Sequence, residues 1–145
     1  MKSKLQPPRK RLRWLLPGAI VLAVYPIFVF ASVYSQWFAA ALPGGLNGPA
    51  DAYRHSLASA TVAYTGSSRW VEWVTAIMER DGEGSESHAM DAHNNRIGAR
   101  IGQDATSWNE MQAAVLRAVK SGHTHADDFN QITWLPPERW QNRLY

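Results

Sequence analysis

At 145 residues the chain can hold one small domain and little else. It has no cysteine, which excludes disulfides, thiolate metal sites and cysteine nucleophiles. The net charge of +3 is unevenly spread: six of the fifteen Lys and Arg fall in the first thirteen residues, and the rest of the chain carries nine basic against twelve acidic groups. That balance leaves no nucleic-acid footprint on the folded part.

In chain order, residues 1–13 form a basic tail, and residues 14–42 carry no charge at all. A run of that length can cross a bilayer, which needs about 20 apolar residues. Trp14 at one end and Tyr34, Trp37 and Phe38 towards the other suit the two interfaces. The basic tail orients this segment with its N-terminus in the cytoplasm, so the expectation is a signal anchor in the inner membrane with the remainder outside. A cleaved signal peptide competes, because Val29-Phe30-Ala31 suits a cleavage site after Ala31. The lipid bilayer is thus the expected partner of residues 14–42, with lipid headgroups or an envelope protein as candidates for the rest.

LPGGLNGP, at 42–49, reads as a hinge over residues 43–48 with nothing to bury. The extracytoplasmic domain then runs from 49 to 145. Asn47 or Gly48 caps its first helix and Pro49 stands near the first helical position. That helix extends to about Tyr64, with Tyr53, Leu57, Ala60 and Tyr64 on one side and Asp51, Arg54 and His55 on another. Asp51 and His55 are four apart and can touch. A second helix, with Trp70, Trp73, Val74 and Ile77 on its apolar face, is expected from Arg69 to Arg80. The loop DGEGSES follows.

The most organised stretch is Glu86 to Gly102, ESHAMDAHNNRIGARIG. At about 100° per residue it divides into three faces. His88, Asp91, Asn95, Gly98 and Gly102 share one stripe, Met90, Ile97 and Ile101 another with Asn94 at its edge, and His93, Arg96 and Arg100 the third. Glycine inside a helix costs roughly 1 kcal/mol against alanine. Two on one face therefore point to close approach of another helix. Ser107 and Glu110 have capping-box spacing and start a last helix to about Ser121, burying Trp108, Met111, Val115 and Val119. The tail lacks periodicity, but Phe129, Trp134 and Trp140 are able to pack back. No alternating strand pattern is present. The fold class is all-α, a transmembrane helix followed by a small bundle of about four helices.

GPADAYRHSLASA followed by ESHAMDAHNNRIGARIG resembles an uncharacterised bacterial family, DUF6973, whose members pair D-A-x-R-H with M-D-x-H-N-N-x-x-G. The resemblance covers about 60 residues. It implies that Asp51, Arg54, His55, Asp91, His93, Asn94, Asn95 and Gly98 act together in an exported or surface-associated protein. In the intervening loop His88 follows Glu86, where the family has a His-Glu order. The family carries no activity to transfer.

Three readings of these residues stay open. In a hydrolase of a phospholipid or cell-wall polymer, His55 or His88 is the general base, oriented by Asp51 or Asp91. Arg54 and Asn94 would then bind substrate, and Asn95 would steady negative charge. In a metal centre, His55, His88, Asp91 and His93 are ligands for zinc or a similar divalent ion. However, His88 and His93 project about 140° apart on one helix. In a structural or binding network, Asp51, Arg54, Asp91 and Asn95 satisfy one another, with Arg54 paired to Asp91.

Overall fold

The structure, a computed structural model, describes residues 9–66, 85–126 and 128–141, with side chains from Val24 onward. The helix expected at 69–80 and most of the following loop lie outside the described residues. Four α-helices form a bundle: α1 (Arg9–Ala40), α2 (Pro49–Thr65), α3 (Glu86–Asp104) and α4 (Trp108–Lys120). Two short strands, β1 (His123–Thr124) and β2 (Thr133–Trp134), pair in parallel, and a 3-10 turn follows at Pro137–Arg139. Among the described residues no helix is long and apolar enough to cross a membrane.

The sequence signals for helix ends hold. Gly48 caps α2 with Pro49 at its start, and Ser85 and Ser107 each accept a backbone N–H of the first turn of α3 and α4. Glu110 reaches back one residue beyond the cap of α4 and accepts from the backbone N–H of Thr106 (3.0 Å).

The hub of the bundle is α2, which touches α1, α3, α4 and β2. Its many small residues admit neighbours on several sides, and Tyr53, Leu57 and Ala60 are buried among Val33, Ile97, Met111, Val115, Val119 and Ile132. The closest approach is to α3. A Cβ on Gly98 would stand 2.1 Å from the Ser56 carbonyl oxygen, and one on Gly102 2.2 Å from that of Ala60. Only glycine fits at either place.

Two features differ from the sequence reading. The segment 43–48 is a clamped corner instead of a loose hinge. Gly44 (φ +71°) and Asn47 (φ +64°) turn the chain sharply, and Gly44 and Gly48 are buried under the Trp140 ring. The Ala50 N–H donates to Pro43 O, the Leu135 N–H to Asn47 O, and Leu46 and Gln141 exchange two backbone bonds. The second half of α1 also belongs to the bundle. Val33 is in the core, Val29, Trp37 and Ala40 pack against it, Trp37 Nε1–H donates to Ala50 O (2.8 Å), and Tyr25 Oη bonds Thr65 Oγ1 (2.7 Å). Among the described side chains, protein packing therefore reaches back at least to Tyr25, well before the expected domain boundary at Leu42. An apolar run reads alike whether lipid or protein covers it. The tail packs through Trp134 and Trp140, but Phe129 is 79% exposed.

Candidate functional site

The N-terminal turns of α2 and α3 lie side by side and bring the two motifs together. Asp51 is fully buried. Its Oδ2 accepts the Asn47 backbone N–H (2.6 Å), and its Oδ1 accepts Nη2 of Arg54, one turn on. The left-handed turn at Asn47 aims that N–H at the carboxylate. Asn47 is itself held by its side chain, which accepts from Ser87 Oγ (2.6 Å) and donates to Arg139 O (3.2 Å).

His55, four residues after Asp51, places Nε2 3.5 Å from Asp51 Oδ1 and 3.6 Å from Asp91 Oδ1 on α3. The His55 and Asp91 side chains are each about a fifth exposed (20% and 19%), so the pair opens to solvent where Asp51 does not. Asp91 Oδ1 is nevertheless buried and accepts no hydrogen bond. Burial, reinforced by the Asp51 carboxylate, raises the Asp91 carboxyl from 3.8 to about 6 against the opposing pull of His55, Arg54 and His88. One ligand atom from each of Asp51, His55 and Asp91 lies within 4.8 Å of the others. Two carboxylates and an imidazole at that separation form a donor set for a divalent cation.

The remaining expected residues divide by role. Asn95 accepts from Ser59 Oγ (2.9 Å) and links α3 to α2 beside the cluster. Asn94 is fully buried and faces the other way, donating Nδ2–H to Thr133 O (2.8 Å) and accepting the Thr133 N–H (3.0 Å). It fastens the tail and does not reach the cluster. His93 Nε2 bonds Gln131 O (2.8 Å), also towards the tail, so it does not share a centre with His55. His88 is exposed, its Nδ1 bonded to Ser85 Oγ (2.9 Å). The pairing of Arg54 with Asp91 expected of a structural network is replaced by Arg54 with Asp51, because three residues along one helix is the shorter reach.

Sequence reasoning missed the parts played by Asn47, Ser59 and Ser87. The signal for Asn47 was its place among glycines, since Asn tolerates the left-handed region better than most residues. A separate cavity of about 270 Å³ lies on the far side of α3, lined by Met90, His93, His125, Thr133, Trp134 and Leu135 among others. It does not include Asp51, His55 or Asp91.

The chain matches the model of the family described as a domain of unknown function, DUF6973, over residues 29–123. That span holds both motifs, the whole cluster and the part of α1 from Val29 onward that packs on the bundle. No curated protein and no solved structure matches the chain. This chain belongs to the DUF6973 family.

Proposed function

We propose that Asp51, His55 and Asp91 bind a divalent cation, zinc by preference, on a domain held at the outer face of the inner membrane. One observation supports this above the others: Asp91 Oδ1 is buried without a donor, beside an imidazole and a second carboxylate. A buried carboxylate oxygen without a hydrogen-bond donor costs more free energy than a neutral hydroxyl such as Thr61 Oγ1, the other orphan among the described residues. A cation between the three would satisfy the carboxylate. An imidazole and two carboxylates are legitimate ligands for zinc or a similar divalent ion, and three protein ligands leave a coordination position for water.

The chemistry that suits such a centre is hydrolysis. A bound cation lowers the pKa of its water and polarises a phosphoryl or carbonyl oxygen. Arg54, adjoining the cluster, adds positive charge for an anionic substrate. The membrane side of the proposal rests on the basic tail and on the uncharged run from Trp14 to Pro49. A phosphate-bearing lipid or wall polymer is the substrate class within reach. The structural reading retains one observation in its favour, the fully paired Asp51.

The test is calorimetric titration of chelator-treated full-length protein with zinc. One site is expected, weakened at least about tenfold by Asp91→Asn and by His55→Gln, with helical circular dichroism unchanged in both. Hydrolysis of a chromogenic phosphodiester should follow zinc occupancy. An absence of binding, or equal binding by both variants, would overturn the cation centre in favour of the architectural network.

A further inference from the structure

The outer face of α1 is the largest apolar feature left without a partner among the described residues. Tyr25, Val29, Val33, Trp37 and Ala40 point into the bundle or along its seam. On the opposite side Val24, Ile27, Phe30 and Phe38 are 55%, 67%, 54% and 63% exposed. Tyr34 stacks on Phe30, with centroids 4.2 Å apart, which makes the row continuous. A soluble surface rarely carries so long an apolar stripe without a partner.

Length decides what covers it. The bundle grips α1 from Tyr25 onward, and the basic residues end at Arg13. At most the eleven residues Trp14–Val24 remain for a membrane segment free of the domain. At 1.5 Å per residue they reach about 16 Å, half of the roughly 30 Å hydrocarbon core. The missing length is supplied by the exposed stripe on the same helix. From Trp14 to Phe38 the helix is about 37 Å long and uncharged, and its described outer side is apolar apart from Ser35, whose hydroxyl donates to Ser32 O of the same helix. α2 agrees with this placement, since no charged residue occurs after His55 on this helix, which packs on α1 and ends at Thr65.

Accordingly, we infer that the outer face of α1, through Val24, Ile27, Phe30 and Phe38, is lipid-facing, so that the bundle lies against the bilayer and does not hang from it on a stalk. This inference rests on the membrane reading above and gives it a geometry. Tyr25, Phe28, Tyr64 and Trp108 form one aromatic group at the Tyr25 end of the bundle, through ring pairs 5.8–6.4 Å apart. Asp104 and Glu110, both exposed, stand close to that end, so immersion is confined to the outer side of α1. The other half of the surface stays in water. Asp51, ten and more residues back along α2, sits on the side of the bundle away from the aromatic group.

The absence of native cysteine makes the test direct. Single variants Ile27→Cys, Phe30→Cys and Phe38→Cys, with Gln103→Cys and Asn109→Cys as exposed controls, are made in the full chain and labelled with an environment-sensitive fluorophore. Each is reconstituted in vesicles of phosphatidylcholine and phosphatidylglycerol. Labels at 27, 30 and 38 are expected to shift to the blue and to be quenched several-fold more by nitroxide lipids than the controls. Quenching by aqueous iodide equal to that at Asn109, in protein that floats with the vesicles, would overturn the inference and leave membrane attachment intact. Shielding from both quenchers would place a second copy of the chain on the stripe and overturn it equally. Protein that does not float would overturn the membrane reading itself.

Discussion

At the scale of single residues, Asp51 and Asp91 have opposite relations to the fold, although both carry a carboxylate into the same cluster. Asp51 is buried, paired with Arg54 and bonded to the Asn47 N–H. Asp51→Asn removes the carboxylate charge that pairs with Arg54 and should cost about 3 kcal/mol, the low end for breaking a buried pair. Asp91 is held above its ordinary value chiefly by burial, so the folded chain binds its proton more tightly than the unfolded one. Its contribution is complete below the unfolded value of 3.8, falls as pH rises towards about 6, and is absent above. Metal-free Asp91→Asn should therefore be as stable as the parent or steadier by about 1–2 kcal/mol at pH 8, after allowance for partial exposure. It should also have a flatter stability profile between pH 4 and 6 or so. Urea melts across that range check both. A loss of stability in Asp91→Asn comparable to that in Asp51→Asn would return Asp91 to an architectural role.

At the scale of elements, the α2–α3 crossing is the joint on which the cluster depends. His55 reaches Asp91 only because Gly98 and Gly102 let α3 lie on the backbone of α2 at Ser56 and Ala60. Gly98→Ala would set a methyl 2.1 Å from a carbonyl oxygen that cannot move independently of its helix. A loss of about 3 kcal/mol is expected by thermal melt, at the upper end of ordinary overpacking. An unchanged melting temperature would mean that the helices are less closely packed. This joint was legible in the sequence, because a 3.6-residue period put His88, Asp91, Asn95, Gly98 and Gly102 on one stripe. The capping residues Gly48 and Ser107 were legible too, since their signals are local. The partners of Asn94 and His93 were not. Both act on a tail some 38 residues away, and no local pattern encodes such a distance. β1 and β2, two residues each, are too short to show alternation.

For the whole molecule, the extent of the domain is the main revision that the structure makes. A fragment beginning at residue 43 looked natural from the sequence, because glycine and proline stop the apolar run there. That fragment lacks Val33 and Trp37, and exposes Tyr53 and Leu57 where α1 covered them. Loss of one large buried side chain costs about 2–5 kcal/mol, a substantial share of the roughly 5–15 that holds a domain together. Fragment 43–145 should therefore show broad, weak unfolding transitions, while 24–145 in mild detergent unfolds cooperatively. Denaturation followed by tryptophan fluorescence distinguishes them, and a sharp transition in the shorter fragment would show that α1 is dispensable. By the same argument, cleavage after Ala31 would remove Tyr25 and Val29 from the seam, so an uncleaved α1 suits the fold better.

The corner at 43–48 has a consequence for the order in which the molecule is completed. Leu46 pairs with Gln141, and Asn47, which orients Asp51, receives the Leu135 N–H and gives its side-chain N–H to Arg139. These partners lie far apart in the chain, with 92 residues separating Asn47 from Arg139. Contacts of such long sequence separation carry the largest loop-closure cost and form late. A nascent chain can build α1 on α2 early, but Asn47 lacks its last supports until residues 135–141 arrive. The carboxylate cluster is then fixed in place by residues 135–141, so a chain interrupted before them would carry every cluster residue without the scaffold that aligns them.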